Sequence, residues 1–166
     1  QLLSDEHFQA TAKMHADFMS ERNIDVQIIG PRPFMMMGWM QPHLLNSWTT
    51  FVNDSIKKQV DFFPDRFIGA AQLPQIATAP DLNHCIPELE RCVNELGMIV
   101  DISHVGEQTF WDAIHTTTKP VIASHSCAWS LCPVFRNMKD DQIKAVGENG
   151  GVIQLNFFSG FVDSTF

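Results

Sequence analysis

Long apolar runs and runs of basic residues are both missing from this 166-residue sequence. No stretch approaches the ~20 consecutive apolar residues of a membrane-spanning helix, and the first residues do not read as a signal peptide. Basic residues never run beyond the pair Lys57–Lys58, and the net charge is −8 at pH 7, so no nucleic-acid surface is expected. We therefore expect a globular, cytoplasmic protein without nucleic-acid or membrane partners.

Cysteine is scarce, and its four occurrences do not have the spacing of a zinc finger. Cys85 and Cys92 lie on one predicted helix, about 10 Å apart along its axis, which is too far for a disulfide. Reduced thiols are therefore expected, as is usual in a cytoplasm-like compartment.

Helix-like and strand-like segments alternate along the whole sequence. Glycine and proline residues mark many of the boundaries between them. The alternation is typical of βα units and predicts an α/β fold with a parallel sheet. Predicted helices cover residues 3–22, 43–62, 81–97, 106–118 and 139–150, and predicted strands cover residues 24–30, 66–73, 98–104, 120–125 and 151–158.

This number of strands is compatible with two architectures. A complete (β/α)8 barrel needs ~250 residues, so one prediction is a single partial barrel domain over residues 1–166 with about five βα units. A smaller doubly wound sheet fits the same pattern. The sequence begins with Gln1 inside a helix-like segment, so we expect a fragment or a processed product.

Two successive predicted strands end in a histidine, MIVDISH at His104 and PVIASH at His125. Ligand sites of parallel α/β folds lie at the carboxyl ends of strands. Neighbouring strands are ~5 Å apart, so the two imidazoles could reach one zinc ion. Side-chain alternation excludes Asp101 as a further ligand beside His104. A lone histidine at a strand end is more often a half-exposed, hydrogen-bonded residue, so both interpretations stay open.

The loop after the second of these strands contains an arginine. Arg136 could bind a carboxylate through two parallel hydrogen bonds. An isolated loop arginine is usually only solvated, so this role depends on what surrounds it.

Residues 97–166 resemble the membrane (renal-type) dipeptidase family of metallopeptidases, through a D-[IL]-S-H-V element and an A-S-H-S-x-A element. The resemblance implies a TIM barrel of the metal-dependent hydrolase type with a dinuclear zinc centre. It also implies that His104 and His125 are metal ligands and that Arg136 holds the terminal carboxylate of a dipeptide. The substrate would then be a small molecule, hydrolysed by a metal-activated water.

Residues 21–97 resemble another branch of the amidohydrolase superfamily, the amidohydrolase-related decarboxylases and 4-oxalomesaconate hydratases. FPDRFIGAAQLPQ and ELERCVNELG carry this resemblance. It implies a lyase acting on carboxylated products of aromatic ring cleavage, in which Arg32 would meet the anionic substrate. The resemblance changes near residues 94–97, so we expect a hybrid of two related barrels.

The zinc site that the dipeptidase resemblance implies is incomplete in this sequence. The family uses two zinc ions, first-strand ligands and a bridging carboxylate, and RFIGAAQL contains no carboxylate inside the strand. Two histidines alone are expected to bind zinc weakly, and no catalytic residue is assigned. Three functions stay open: a dipeptidase-like hydrolase, a metal-dependent decarboxylase or hydratase, and a non-catalytic barrel fragment that forms a homo-oligomer through open sheet edges.

Overall fold

The computed structural model describes residues 4–31, 33–76, 81, 83–163 and 165. The chain divides into two compact units, Gln1–Ile99 and Val100–Phe166. Each unit contains a two-stranded parallel sheet together with helices. The predicted mixed α/β class is therefore confirmed, whereas the partial barrel and the single domain stay predictions.

The N-terminal unit is built from three helices and two strands in its described part. Its sheet is parallel, with Gln27 opposite Phe67, and an isolated parallel bridge joins Ala70 to Ile99. Two short 3-10 helices lie at Pro33–Met35 and Asn83–Cys85. The elements are α1 (Asp5–Ser20), β1 (Gln27–Ile29), α2 (Pro42–Phe62), β2 (Phe67–Gly69) and α3 (Ile86–Asn94).

The two long helices of this unit form where the sequence predicts them. The Ser4 side chain caps α1 by accepting a hydrogen bond from the His7 amide at 3.4 Å, which satisfies one of the free N–H groups of the first turn. The helix buries Ala12, Ala16 and Met19 against Phe67 of β2. The apolar face of α2 packs in a second cluster, whose buried members are Val52, Ile56, Cys92 and Met98.

The C-terminal unit has one hydrophobic core around its sheet. The buried members of this core are Ile102, Phe110, Val121, Ala123, Met138 and Val146. The elements are α4 (Glu107–Thr116), β3 (Ile122–Ser126), α5 (Asp140–Glu148), β4 (Val152–Leu155) and α6 (Ser159–Val162). The first four lie within a few residues of their predicted positions, whereas α6 was not predicted.

A bulge interrupts the pairing of β3 with β4. Ala123 pairs with Ile153, but the next pair along the ladder is Ser126 with Leu155. The strand β3 therefore contains one more residue than its partner over this interval. Such a bulge bends the strand and redirects the side chains that it contains, and here it lies immediately around His125.

The predicted strand over residues 98–104 is wrong as a regular element. Only isolated bridges form, at Ile99 and Asp101, and His104 lies in a turn with a φ angle of 64°. The physical reason is local, because the Asp101 carboxylate accepts a hydrogen bond from the Ser103 amide at 2.9 Å. This Asx turn takes an N–H group that a strand would use for its ladder.

The predicted thiol state and the absence of an apolar spanning segment can be compared with the structure. All four cysteines are buried and free. Burial, the negative charge of Glu88 and a hydrogen bond to it raise the pKa of Cys92 to about 12. Over the described residues, no helix is both long enough and apolar enough to cross a bilayer.

Candidate metal and carboxylate site

His104 and His125 lie in contact within the C-terminal unit. Their Nε2 atoms are 2.6 Å apart, and their ring centroids are separated by 4.5 Å at an interplanar angle of 57°. His104 comes from the left-handed turn and His125 from the bulged part of β3. The structure thus brings together the two residues that the sequence singles out, although not through two regular strand ends.

His125 contacts the hydroxyl of Ser124, which in turn contacts the half-buried carboxylate of Asp101. The Ser124 hydroxyl lies 2.5 Å from Asp101 Oδ2 and 2.8 Å from His125 Nδ1. Asp101 Oδ1 accepts two backbone N–H bonds, from Ser103 at 2.9 Å and Ser124 at 3.2 Å. Burial raises the pKa of Asp101, but the bonds from Ser124 and Ser103 outweigh it and lower the pKa below its ordinary value.

The Nε2 atom of His104 that contacts His125 also contacts a cation. Arg136 donates a hydrogen bond through Nη2 to His104 Nε2, so this nitrogen carries a lone pair. Partial desolvation of the ring and the charges of Arg136 and His125 lower the pKa of His104 to about 4. The imidazole is therefore neutral at pH 7, which is the form that binds metals.

The two imidazoles fit a shared metal ion in part. Both Nε2 atoms converge on one point, as two ligands of a single ion do. Two nitrogen ligands of a tetrahedral zinc ion lie about 3.3 Å apart, so the rings would have to separate slightly. Within the described residues, no group of three or more His, Cys, Asp or Glu side chains is arranged to hold a metal. The two imidazoles are therefore a pair of candidate ligands.

One residue of the histidine pair, His104, lines a cleft of about 360 Å³ in the C-terminal unit. Arg136 and Lys139 line this cleft together with apolar side chains, among them Trp129 and Phe135. Lys139 is paired with Glu107 at 2.8 Å. The cleft therefore offers a cationic end beside His104 and an apolar wall, a combination that suits a small anionic molecule with an apolar side chain.

The guanidinium of Arg136 contacts an aromatic ring, but one of its N–H groups has no hydrogen-bond partner among the described residues. Its carbon Cζ lies 4.5 Å from the centre of the Phe161 ring, as in a cation–π contact. Its Nε is buried and finds no hydrogen-bond partner within the described part of the chain. Nε and the neighbouring Nη2 form one edge of the guanidinium, and that edge binds carboxylates through two parallel hydrogen bonds.

Sequence reasoning missed two residues of this cluster. Ser124 and Asp101 were not expected to support His125, because regular alternation points adjacent side chains to opposite faces. A serine directly precedes each histidine, Ser103 and Ser124, and this repeated pair could have indicated hydrogen-bonding support for the imidazoles. Arg32, the other predicted substrate contact, lies outside the described residues, so its role stays a prediction.

The sequence around this site is similar to proteins of a known family. Residues 87–165 match the model of the membrane dipeptidase family, peptidase family M19. An uncharacterized dipeptidase of Schizosaccharomyces pombe is 46% identical over 78 residues, covering 47% of this chain and 18% of that protein. An uncharacterized protein from the pqqA 5′ region of Klebsiella pneumoniae is 42% identical over 85 residues, covering 51% of this chain and 31% of that protein.

Solved structures extend the similarity to the amidohydrolase fold. The 4-oxalomesaconate hydratase of Rhodopseudomonas palustris is 25% identical with a TM-score of 0.59, over 74% of this chain and 40% of that one. A dihydroxybenzoic acid decarboxylase of Polaromonas, solved with manganese, is 26% identical with a TM-score of 0.51, over 66% of this chain and 36% of that one. The dipeptidase AC shares the fold at 17% identity and a TM-score of 0.53, over 86% and 63% of the two chains.

The chain is similar to proteins of the amidohydrolase superfamily, and its C-terminal half resembles the membrane dipeptidases of peptidase family M19. Both predicted resemblances are thereby confirmed, whereas the exact place near residues 94–97 at which one gives way to the other stays a prediction. The chain spans less than a third of the length of the two curated relatives, 18% and 31%.

Proposed function

We propose that this chain contributes part of the active site of a metal-dependent, dipeptidase-like hydrolase built on a (β/α)8 barrel of the amidohydrolase type. In this proposal His104 and His125 bind zinc, and Arg136 holds the terminal carboxylate of the substrate. The observation that carries it is the convergence of the two imidazole Nε2 atoms, 2.6 Å apart, with the Arg136 guanidinium beside them. The match of residues 87–165 to the membrane dipeptidase family supports the same assignment.

Both imidazole Nε2 atoms can supply a lone pair to one cation. Arg136 donates to His104 Nε2, so this nitrogen carries a lone pair, and without a metal the 2.6 Å contact between the two Nε2 atoms needs its proton on His125. A metal ion would displace that proton and be bound by both nitrogens. When bound, zinc would supply a Lewis acid that lowers the pKa of water and polarises a carbonyl.

In this proposal different residues of the chain bind different parts of the substrate. Arg136 must leave His104 Nε2 when that lone pair is used for the metal, and its freed edge faces the cleft. The buried, unpartnered Nε–H of Arg136 gains a partner when a carboxylate binds along that edge. Apolar side chains that line the cleft, such as Val105 and Trp129, would contact the side chain of the bound dipeptide.

Metal titration of the purified chain tests the ligand assignment. Zinc or cobalt bound per chain is counted for the unchanged chain, for His104→Ala, for His125→Ala and for His43→Ala, which changes an exposed histidine of the N-terminal unit. The two site variants are expected to lose more than about 100-fold in metal affinity, because loss of an outer partner alone costs about 10–100-fold. Equal binding by all four proteins would contradict the assignment.

A second experiment tests the carboxylate role of Arg136. Binding or hydrolysis is compared for a dipeptide with a free carboxylate and for its C-terminal amide. The unchanged chain is expected to prefer the free acid, whereas Arg136→Ala loses the preference and Arg136→Lys keeps part of it, since lysine retains the charge without the planar fork. A preference that survives in Arg136→Ala would show that another group binds the carboxylate.

A metal-dependent decarboxylase or hydratase is the second candidate function. The observation that favours it is the hydratase structure, similar at 25% identity and a TM-score of 0.59. Both candidate functions use an anionic substrate, so the cleft alone does not separate them. Release of carbon dioxide or hydration of a dicarboxylic or tricarboxylic acid by the metal-loaded chain, without dipeptide hydrolysis, would favour this candidate.

Self-association through sheet edges is the non-catalytic candidate. Among the described residues, β4 pairs on one side only, with β3, and Val152 and Leu155 on this strand are exposed. Such an edge can add a strand from another chain. Size-exclusion chromatography with light scattering tests it, and a monomer that binds metal would leave the hydrolase as the better proposal.

A further inference from the structure

The backbone at Arg136 is bonded on both sides within the C-terminal unit. The carbonyl oxygen of Arg136 accepts a hydrogen bond from the Ser126 hydroxyl at 3.4 Å. The amide of the next residue, Asn137, donates to the Val134 carbonyl oxygen at 2.9 Å. A long arginine side chain nevertheless keeps many rotamers when only its backbone is fixed. The guanidinium therefore needs a further contact if it is to keep one orientation.

The half-buried ring of Phe161 provides such a contact. The Cζ atom of Arg136 lies over this ring, 4.5 Å from its centre. The ring face attracts the positive charge and blocks one side of the guanidinium. The N–H donors point outward from the edges of the guanidinium plane, so an anion can still bind at an edge.

Asn137 fixes the position of Phe161 relative to Arg136. Its Nδ2 atom donates one hydrogen bond to the Cys132 carbonyl oxygen at 2.8 Å and one to the Phe161 carbonyl oxygen at 2.9 Å. Both amide hydrogens are thereby used, and the side chain is only 6% exposed. The thiol of Cys132 contacts the Gly160 carbonyl oxygen at 3.5 Å. Helix α6, which contains Phe161, is thus bonded to the residue that follows Arg136 in the chain.

We propose that Phe161 is a positioning residue that fixes the orientation of the Arg136 guanidinium, with its Nε–Nη2 edge available to a carboxylate, and that Asn137 holds Phe161 in place. A carboxylate on this edge would satisfy the buried Nε–H group of Arg136. Fixing the guanidinium before binding reduces the entropy that is lost on binding. This inference deepens the proposed function, because it takes Arg136 as the group that binds the substrate carboxylate.

The orientation is tested by the NMR signal of the Arg136 Nε–H group in the metal-free chain, assigned by its disappearance in Arg136→Lys. Protons over an aromatic face are shifted upfield by the ring current. The unchanged chain and Phe161→Tyr are expected to show this shift, whereas Phe161→Leu and Phe161→Met lose it. The control is Phe157→Leu, the same change at a side chain that is 91% exposed, and it keeps the shift.

Circular dichroism confirms that each variant is folded. If Phe161→Leu does not fold, Phe161→Met decides the matter, because it also removes the ring but fills a similar volume. An Nε–H signal without an upfield shift in the unchanged chain, or a shift that persists in both ring-free variants, would overturn the inference.

Carboxylate affinity is the second readout, measured with N-acetylalanine and with its C-terminal amide, with and without zinc. Phe161→Leu is expected to bind the acid about 2- to 30-fold more weakly, the range of a cation–π contact, and to bind the amide as the unchanged chain does. Phe161→Tyr and Phe157→Leu are expected to keep the affinity for the acid. An equal loss for acid and amide would indicate a packing role only and would overturn the inference.

The two readouts separate this inference from the proposed function. A preference for the acid that is lost in Arg136→Ala but unchanged in Phe161→Leu would overturn the inference and leave the proposed function standing. A preference that survives in Arg136→Ala, together with an Nε–H shift that is lost in Phe161→Leu, would support the positioning of Arg136 and overturn its proposed role in binding the carboxylate.

Discussion

The two units of the chain differ in how their partly and fully buried polar side chains are paired. In the N-terminal unit, Asn53 bonds to the backbone of Gln72 in both directions, at 2.9 Å each, and donates to Glu88 at 2.7 Å. Arg91 closes this network on Glu88 with two further bonds. In the C-terminal unit, the chain of bonds from Asp101 runs through Ser124 to His125 and His104, and His104 lines a cleft.

The difference separates a structural network from a candidate binding site. The charge of Glu88 is balanced by Arg91 inside the same network. Asp101 receives its hydrogen bonds from neutral donors among the described residues, namely backbone amides and the Ser124 hydroxyl. A cation bound by the neighbouring imidazoles would balance this negative charge. Networks that are closed stabilise a fold, and networks that end in unsatisfied groups indicate ligands.

Asn53→Ala is expected to give the largest loss of stability, and it tests whether the first network is structural. The substitution leaves the Gln72 N–H and C=O without partners and weakens the hold on Glu88, at about 1–3 kcal/mol for a buried group left unpaired. Chemical denaturation is expected to show a loss of about 3 kcal/mol, with Asn94→Ala on the exposed face of α3 as the control. A change in the metal affinity of Asn53→Ala would contradict the assignment of this network to a purely structural role.

Gly151→Ala tests the packing that supports the candidate site. A Cβ at this position would lie 2.4 Å from the Val121 carbonyl oxygen and 2.9 Å from a methyl group of Val146. Overpacking of this kind costs about 1–3 kcal/mol, so the C-terminal unit is expected to lose about 2 kcal/mol.

Gly147→Ala is the matched control for that change. Nothing lies within 4 Å of the added Cβ, and alanine is favoured over glycine inside a helix by about 1 kcal/mol. The thermal midpoint should therefore fall for Gly151→Ala and rise for Gly147→Ala. Similar midpoints for both variants would contradict the close approach of the backbone at Gly151.

The pH dependence of stability should reveal the contribution of the network around Glu88. Burial raises the pKa of Glu88, but bonds from Arg91 and Asn53 outweigh it and lower the pKa below its ordinary value. A lowered folded-state pKa contributes stability that is present above the unfolded value of about 4.3 and is lost as the pH falls through the folded value.

Glu88→Gln removes this titration and should flatten the loss of stability below about pH 4.3. Denaturant midpoints measured from pH 7 to pH 3 give the comparison, and Glu90→Gln, which changes an exposed residue of the same helix, is the control. Parallel curves for the unchanged chain and Glu88→Gln would show that the network contributes nothing through this charge.

Removing a surface ion pair should change the stability least of all, and by the same amount in both units. Lys13–Asp17 and Lys144–Glu148 are i,i+4 pairs on exposed helix faces, at 2.6 and 3.8 Å. Replacing either lysine by alanine is expected to change stability by no more than about 0.5 kcal/mol, and 1 M salt should remove the change. A loss above 1 kcal/mol in one unit would show that its surface carries a larger network.

The sequence predicts the elements of this protein better than the geometry of its site. The helix over residues 43–62 and the alternation of strands and helices follow from local periodicity and from glycine and proline positions, and the structure agrees. The pairing of His104 with His125 follows from two similar motifs. The Asx turn at Asp101 and the bulge in β3 were not predicted, because each depends on the competition between local and ladder hydrogen bonds.

The sequence by itself determined the α/β class, the superfamily resemblance and the identity of the two histidines and of Arg136. Only the tertiary structure decided how these residues meet. An additional residue in β3 turns Ser124 and His125, and the left-handed turn at His104 carries the second imidazole to it. Periodicity along the chain describes which face a side chain occupies in a regular element. The distance between two imidazole nitrogens depends instead on the irregular backbone that long-range contacts stabilise.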